Sequence, residues 1–454
     1  PCMTMSFGKK LVYALGQFAL TLCAYAAGNL FLSYYVSAGS PVFADLIHRN
    51  AVLGLFTVAG LAIALGRITD AGASLVSGWL SDRSRFRRGR RNTFMLLAGA
   101  PVACASFLVF TPPSDNPTVN SVYVVLIILV FYVLLSLYAV PYLAMLPRIG
   151  PTRRERMTLS ILMAIAIATA TLLGNRIFTL TDLLARTAGL TMPEAFRGII
   201  GLYALVSAVF LLLPPLLINA GDTGDSPVRE PFGKSFAIVI RDDHFRSYLL
   251  ADSMFRIASA LVIAGFSWFV TILLGLDTRS ANLLLLTVFF SNLALFFPIY
   301  LLVKRLGKRK MLFIAYLLFI SALVASVFAG LYPVSPWTQG MFLAFMLSIP
   351  YAVFTVIPNA LVADLVVAAE RKSGEQRGGM YFAIHTLIVK TGVIVAGLLF
   401  PLFTVFVNGV LGREPESGGL RLVLAAAALF SVIGFFSLFG YHEKEVSAVL
   451  GDQD

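Results

Sequence analysis

Twelve long apolar segments, separated by polar loops, constrain this chain of 454 residues more than any other feature. Each segment is long enough to cross ~30 Å of hydrocarbon as a helix that rises ~1.5 Å per residue. Only 13% of the residues are charged, whereas typical soluble domains have about 25%. The sequence therefore predicts an all-α integral membrane protein. The predicted spans are residues 11–36, 52–80, 93–111, 120–147, 157–181, 197–218, 247–275, 281–303, 311–332, 338–366, 379–407 and 421–440.

Positive charge is concentrated in every second loop. The second, fourth, sixth, eighth and tenth loops carry six, four, four, five and three Lys or Arg residues, whereas each odd-numbered loop carries one or none. Because short cytoplasmic loops are enriched in Lys and Arg, this alternation predicts a multi-pass protein of the cell membrane with both termini cytoplasmic. It also accounts for the net charge of +12 without a nucleic-acid partner.

A polar stretch at residues 219–246 divides the spans into six and six. We expect a cytoplasmic N-terminus at 1–10, a first six-helix half at 11–218, a cytoplasmic linker at 219–246, a second half at 247–441 and a cytoplasmic tail at 442–454. The basic loop after the second span has a counterpart, VKRLGKRK, after the eighth, which is the second span of the second half. Parallel repeats of this kind are known in the major facilitator superfamily.

Asp70 is an acidic residue inside the second apolar span, and it marks the leading candidate site. A charged side chain near the bilayer centre is costly, so it usually indicates a path for an ion, a proton or a substrate. Counting from the basic loops places Asp70, Ser136 and Lys390 at one depth, ~18 Å from the inner surface. We predict that Asp70 and Lys390 face each other and that Ser74 and Ser136 add hydroxyl oxygens to a cation-binding or coupling site. A structural ion pair that locks the halves is the alternative.

Other polar residues within the apolar spans are candidates for substrate contact. Arg67 is about one turn from Asp70 and could instead support that carboxylate, while Asp252 and Arg256, four residues apart, could simply pair with each other. His385 is either a packed side chain, a cavity residue or a proton carrier. The predicted substrate-contacting residues are Gln17, Thr21, Asn29, Arg67, Tyr142, Asn359, His385 and Thr386, with Asn175, Arg176 and Asp364 as further residues of the same cavity.

Charged residues at the helix ends predict an inner gate. Asp82 is followed by Arg83, and Glu155 is followed by Arg156. Salt bridges between these helix ends would hold the cytoplasmic side closed. The alternative is a role in topology and in contact with anionic lipid headgroups.

The sequence has no enzyme motif that we recognise. His442-Glu443 lacks the second His of a zinc-protease helix, and no GxSxG occurs. The three cysteines give neither a disulfide framework nor a metal-ligand spacing. We therefore expect a protein that is not an enzyme and that has no cofactor or metal beyond a coupling Na⁺ or H⁺.

Several stretches resemble one family of transporters. TDAGASLVSGWLSDRSRFRRGRR resembles the signature after the second helix of the glycoside, pentoside, hexuronide and cation symporter family, which includes melibiose permease. VPYLAMLPRIGPTRRERMTLS, DDHFRSYLLADSMFR and VADLVVAAERKSGEQRGGMYFAIHTLIVKTG resemble the same family, so the likeness covers most of the chain. It implies twelve helices in two halves, alternating access around a central cavity, and symport of a sugar-like solute with Na⁺, Li⁺ or H⁺.

The resemblance also implies roles for single residues of the cation site. Asp70 corresponds to the family's first cation-site aspartate and Lys390 to its eleventh-helix lysine. The second cation-site acid falls on Ser74, the fourth-helix acid on Ala139 and the nearby hydroxyl on Ser136. Because hard cations prefer charged oxygen ligands, the two missing acids favour proton coupling or uncoupled transport over Na⁺ binding.

The sugar-contacting residues of melibiose permease are largely replaced. Its first-helix acid and fifth-helix arginine fall on Thr21 and Ala164, and only Thr386 and His385 remain from that set. The less polar cavity would suit an amphipathic substrate, as in the related sodium-dependent lysophosphatidylcholine symporters.

The leading expectation is thus a secondary transporter of an organic solute, sugar-like by family and coupled to Na⁺ or H⁺. One alternative is a transporter of an amphipathic lipid such as a lysophospholipid. Another is an uncoupled facilitator or a non-transporting receptor with the same fold. The expected partners are the substrate and membrane lipids, and the expected state is a monomer.

Overall fold

A computed structural model describes residues 5–35, 46–47, 57–84, 89–218, 230–411 and 416–451, which fold into helices with no β-strand. Outside these residues lie 219–229 of the predicted linker and the loop cations Arg49, Arg85, Arg87, Arg88, Arg229 and Arg413. The helices are α1 (Phe7–Tyr25), a π-helical turn (Ala26–Leu30), α2 (Phe31–Tyr35), α3 (Val58–Arg83), α4 (Arg90–Leu108), α5 (Pro117–Ile149), α6 (Arg153–Asn175), α7 (Ile177–Ala188), α8 (Met192–Leu217), α9 (Phe232–Ile240), α10 (Asp243–Trp268), a second π-helical turn (Phe269–Leu273), α11 (Thr278–Leu306), α12 (Lys308–Val327), α13 (Pro336–Ser373), α14 (Gly378–Leu411), α15 (Glu416–Ser437) and α16 (Glu443–Leu450).

Among the described residues, eleven helices are long and apolar enough to cross a membrane. The predicted third span corresponds to α4, which is not one of these eleven helices. Its first turn is polar, since it begins with Arg90, Arg91 and Asn92. The predicted class, an all-α membrane protein with twelve spans, is confirmed. Hydropathy did not predict α7, α9 and α16, since helices of 8 to 12 residues are too short to form a membrane-length apolar segment.

Polar side chains explain where several helices begin. Thr57, Asn116, Asp242, Asp277 and Ser335 each accept a hydrogen bond from a backbone N–H two or three residues further along the chain. The first N–H groups of a helix have no partner inside the helix, so such caps fix its start.

The chain divides into two compact units. The first contains Pro1–Pro151, Leu162–Ser235 and Glu375–Ile384, and the second contains Thr152–Ile161, Phe236–Gly374 and His385–Asp454. Two short segments depart from the six-plus-six division of the sequence. The beginning of α6 belongs to the second unit and the beginning of α14 to the first, so each of these helices contributes to both units.

The two units repeat one packing pattern. In the first unit α3 packs on α5, α4 packs on α5 and α8, and α1 packs on α8. In the second unit α11 packs on α13, α12 packs on α13 and α15, and α10 packs on α15. If the spans of each unit are counted from one to six, the pairs are 2–4, 3–4, 3–6 and 1–6 in both. This is the parallel repeat that the two basic loops indicated.

Candidate functional site

The first candidate site lies where α3 packs against α5 in the first unit. The Ser136 hydroxyl donates a hydrogen bond to Asp70 Oδ1 at 2.8 Å and lies 3.1 Å from Ser74 Oγ. The Ser74 hydroxyl donates to the backbone carbonyl of Asp70, also at 2.8 Å. All three residues are at most 2% exposed. The structure therefore brings together three of the four residues expected at the cation site, and we call them the Asp70 cluster.

A glycine allows the two helices of the Asp70 cluster to approach closely. A Cβ atom at Gly66 would lie 2.8 Å from side-chain carbons of Ile128 and Tyr132 on α5. Gly66 is four residues before Asp70, so both lie on the same face of α3. The missing side chain therefore lets α5 come near enough for Ser136 to reach the carboxylate.

Lys390 was expected to complete this site. It lies on α14, in the part of that helix that belongs to the second unit, and it is partly buried. Its pairing with Asp70 stays a prediction.

Several of the residues expected to contact substrate lie in the first unit. On α1, Gln17 Nε2 donates to Thr21 Oγ1 at 3.3 Å. The Arg67 guanidinium lies 5.9 Å from the centre of the Tyr132 ring on α5, which is within cation–π distance. Asn29 is exposed in the π-helical turn after α1.

Tyr142, which was also expected to contact substrate, is fully buried between α1 and α5. Its hydroxyl donates to the Tyr13 carbonyl at 2.6 Å, and the Tyr13 hydroxyl donates to the Tyr142 carbonyl at 2.8 Å. The two rings stack with their centres 4.3 Å apart. This reciprocal arrangement is typical of a packing contact and favours a role for Tyr142 in joining the two helices.

In the second unit, His385 is part of a buried group on α10 and α14. His385 Nε2 lies 3.2 Å from Asp252 Oδ2, and Arg256 Nε lies 3.5 Å from the same oxygen. The structure thus adds His385 to the local pair that the spacing of Asp252 and Arg256 indicated. Asn359 on α13 and Thr386 on α14 are partly buried.

Of the residues predicted to form a gate, Asp82 binds the start of α14. Its two carboxylate oxygens accept hydrogen bonds from the backbone N–H groups of Gly379 and Met380 at 2.8 and 2.9 Å, and Arg91 lies 3.9 Å away. All four residues belong to the first unit. A carboxylate here satisfies two N–H groups and the positive end of the helix dipole. Arg83, the next residue, stacks its guanidinium 5.0 Å from the ring centre of Trp79.

Arg156, another predicted gate residue, lies in a buried cluster of charges in the second unit. Its Nε donates to Asp364 Oδ1 at 2.6 Å, and Lys308 Nζ donates to Asp364 Oδ2 at 2.6 Å. Arg153 Nε lies 3.5 Å from the second oxygen. Asp364 is fully buried, and we call these four residues the Asp364 cluster. The sequence placed Asp364 in a substrate cavity, whereas the structure places it at the centre of this cluster. Glu155 is 6% exposed, and its backbone N–H donates to Thr152.

The helix α16 extends the Asp364 cluster. Glu443 accepts hydrogen bonds from the backbone N–H groups of Lys308 and Arg309 at 3.0 and 2.8 Å, and it pairs with Arg153 at 3.0 Å. Arg153 also donates to Ser447 at 2.7 Å. Sequence reasoning missed Glu443 as a partner because it lies 290 residues from Arg153 and has no spacing that would relate the two.

Two units with the same helix packing, each made of apolar helices with buried charges, define a membrane transporter of the major facilitator type. Residues 12–444 match the sequence model of the family described as MFS/sugar transport protein, and the chain belongs to that family. It is 24% identical to an uncharacterized symporter of Synechocystis sp., over 91% of this chain and 92% of that protein.

Solved structures share the fold at low sequence identity. The proton:xylose symporter XylE bound to 6-bromo-6-deoxy-D-glucose is 14% identical, with a TM-score of 0.65 and coverage of 94% of each chain. A bacterial homologue of the iron transporter ferroportin in an outward-facing state is 12% identical, with a TM-score of 0.67 and coverage of 95% of this chain and 99% of that one. FucP in the outward conformation is 15% identical, with a TM-score of 0.61 and coverage of 93% and 98%. Its family makes the protein a multi-pass secondary transporter and not an enzyme.

Proposed function

We propose that this protein is a proton-coupled symporter of an organic solute and that Asp70 carries the coupling proton. The observation that carries the proposal is the buried Asp70 carboxylate, which accepts a hydrogen bond from the Ser136 hydroxyl at 2.8 Å. A carboxylate inside an apolar span is costly when charged, and binding a proton removes that cost. Such a group is suited to bind a proton on one side of the membrane and release it on the other.

The same cluster argues for H⁺ over Na⁺. Ser74 and Ser136 supply hydroxyl oxygens at 0% exposure, where a site built for a hard cation would use additional carboxylates. A proton needs a single carboxylate oxygen and no coordination shell. Sodium or lithium coupling is therefore the main competing outcome of the tests below.

A sugar-like solute is the substrate class that the family supports best. We place the chain in the glycoside, pentoside, hexuronide and cation symporter group within the larger family, on the resemblance of its second-span signature. In the first unit, the Gln17 and Thr21 side chains on α1 and the Arg67 guanidinium supply hydrogen-bond donors of the kind that bind hydroxyl groups.

An amphipathic lipid, such as a lysophospholipid, is the second candidate substrate. Thr21 and Ala164 stand where a melibiose-type sugar site has an acid and an arginine, and Ala164 is buried at 1% exposure. A site with fewer charged groups would bind a mainly apolar substrate at a lower desolvation cost. If neither a proton gradient nor a Na⁺ gradient drives uptake, the protein is an uncoupled facilitator or a receptor.

The proposed orientation puts both termini in the cytoplasm, in the cell membrane, with the basic loops inside. In this arrangement Asp82 holds the start of α14, and Asp364 holds the start of α6 through Arg156. We propose that Asp82 and Arg156 act as gating residues by holding these helix ends in place on the cytoplasmic side.

Uptake into proteoliposomes tests the coupling proposal. Sugars and lysophospholipids would be offered under an inside-alkaline pH gradient or an inward Na⁺ gradient, with wild type, Asp70→Asn and Asp182→Asn. Asp182 is the matched control because it is an exposed acid of the first unit that pairs with Arg186. We expect the pH gradient to drive accumulation by wild type and Asp182→Asn, whereas Asp70→Asn should retain only exchange. Accumulation by Asp70→Asn, or accumulation that follows Na⁺ alone, would show that the proton assignment is wrong.

Thermal stability of the purified protein provides a second, independent readout. A ligand that binds the native state raises the apparent melting temperature. Steps of pH, Na⁺, Li⁺, sugars and lysophospholipids would be compared in wild type and Asp70→Asn. A Na⁺ or Li⁺ shift that disappears in Asp70→Asn would assign a metal-cation site to Asp70 instead of a proton site.

A further inference from the structure

Two histidines and a glutamate meet outside the sites described above, where α10 and α16 begin. One ligand atom from each of His244, His442 and Glu445 lies within 4.8 Å of the other two. His244 Nε2 is 3.4 Å from Glu445 Oε2, and the centres of the two imidazole rings are 6.0 Å apart. All three residues belong to the second unit. We infer that they form a binding site for a divalent transition-metal ion of the Zn²⁺ type.

The distances agree with the size of such an ion. Zinc binds histidine nitrogen and carboxylate oxygen at about 2.0–2.2 Å, so two ligand atoms in a tetrahedral arrangement lie ~3.4 Å apart. The distance from His244 Nε2 to Glu445 Oε2 has this value. The two rings are also close enough to bind one ion after small side-chain rotations.

The ligand types select the class of ion. Imidazole nitrogen suits Zn²⁺, Co²⁺, Ni²⁺ and Cu²⁺, whereas Ca²⁺ and Mg²⁺ prefer oxygen ligands only. Two histidines with one glutamate are also the ligand set of zinc sites that keep a fourth position for water. His442 and Glu445 are exposed and His244 is partly buried, so an ion and its water reach the site from solvent.

The neighbouring contacts leave the imidazoles able to bind. The His442 backbone N–H approaches His244 Nδ1 only at 3.5 Å, at the limit of hydrogen bonding, so this contact does not fix the tautomer of His244. Of the adjacent acids, Asp243 pairs with Arg246 at 2.7 Å and Glu443 pairs with Arg153. These two acids already have cationic partners, which leaves Glu445 as the carboxylate for the ion.

An ion here would connect two elements of the second unit. His442 immediately precedes α16 and Glu445 lies in the first turn of that helix, whereas His244 lies in the first turn of α10. Glu443, between the two α16 ligands, accepts the backbone N–H groups at the start of α12. The ion would therefore hold in place the helix that supplies Glu443 to the Asp364 cluster. This role is structural and separate from the substrate that the protein transports.

Metal titration of the purified full-length protein, without an affinity tag, tests the site. Zinc chloride would be titrated by calorimetry into metal-depleted protein, and Co²⁺ would be followed by its visible absorption. We expect one saturable site per chain, a Co²⁺ spectrum with nitrogen ligation, and little heat from Ca²⁺ or Mg²⁺. His442→Ala and Glu445→Gln should each weaken Zn²⁺ binding by roughly tenfold or more.

Asp243→Asn is the matched control, because it removes the acid next to His244 without removing a ligand. It should bind Zn²⁺ as wild type does. Absence of saturable binding by wild type, or unchanged affinity in both His442→Ala and Glu445→Gln, would overturn the site, since the remaining binding would then be adventitious. If His442→Ala does not yield folded protein, His442→Gln replaces it in the titration. In addition, Zn²⁺ should raise the melting temperature of wild type more than that of Glu445→Gln. None of these measurements depends on transport.

Discussion

Asp70 in the first unit and Asp364 in the second are both buried acids in membrane-spanning helices, at 2% and 0% exposure, and we assign them different roles. The Asp70 carboxylate accepts a hydrogen bond from the Ser136 hydroxyl at 2.8 Å. Asp364 lies 2.6 Å from each of two cationic groups, on Arg156 and Lys308. A buried acid surrounded by cations must stay charged, because losing its charge leaves the cations uncompensated. The two cations indicate that Asp364 maintains structure, whereas Asp70 is the acid that we propose carries the coupling proton.

Replacing Asp364 should produce the largest effect. In Asp364→Asn the buried Arg156 and Lys308 lose their counter-charge, so we expect the free energy of unfolding to fall by ~3–5 kcal/mol. The apparent melting temperature in detergent measures the loss. Asp70→Asn is the comparison variant and should cost clearly less. Equal destabilisation by the two variants would contradict the proposed difference between the two acids.

Replacing Asp82 should have an intermediate effect. Asp82→Ala removes the acceptor of two backbone N–H groups at the start of α14, and the loss of such a cap typically costs ~1–2 kcal/mol. The same melting assay checks this value. Asp82→Asn keeps one acceptor oxygen and should therefore be more stable than Asp82→Ala. If the two variants are equally unstable, the negative charge of Asp82 is more important than its hydrogen bonds.

Removing the hydroxyl next to Asp70 should destabilise the protein modestly. Ser136→Ala loses one buried hydrogen bond, which is worth ~1 kcal/mol. If the Asp70 cluster couples transport, Ser136→Ala should lose a larger fraction of its solute accumulation than of its free energy of unfolding. Ser136→Thr should restore most of the accumulation because threonine keeps the hydroxyl. A variant that loses stability and accumulation in proportion would instead show that Ser136 only packs the two helices.

Replacing the exposed acid Asp277 should have the smallest effect on stability. Asp277 caps α11, and the hydrogen bonds from Ser280 lower the pKa of its carboxyl group. Because the pKa is lower in the folded state, the stabilisation is present above pH ~4 and is lost as the pH falls below that value. Because Asp277 is exposed, Asp277→Asn should be only slightly less stable than wild type at pH 7, where the difference is largest, and the difference should vanish in acid. Melting curves at several pH values measure this, and a large effect at neutral pH would contradict a purely local role.

Hydropathy and charge predicted the fold because a membrane-spanning helix needs a long apolar segment, and the chain shows twelve of them. Asp70 was visible for the same reason, since a single acid in an apolar segment stands out. The Asp364 cluster and its contact with α16 were not predictable, because Arg156, Lys308 and Glu443 lie on three different helices that only the folded chain brings together. Tyr142 shows a second limit, since a sequence does not reveal that a hydroxyl is already occupied by a backbone carbonyl.

The bond between Arg153 and Glu443 has a consequence for how the protein is made. The two residues are 290 positions apart, which corresponds to roughly 15–60 s of translation at about 5–20 residues per second. During that interval Arg153 has been synthesised but Glu443 has not. Helix α6 is therefore synthesised before its full set of charged partners is available. A substitution at Glu443 would remove a contact that forms only after the whole Asp364 cluster has been synthesised.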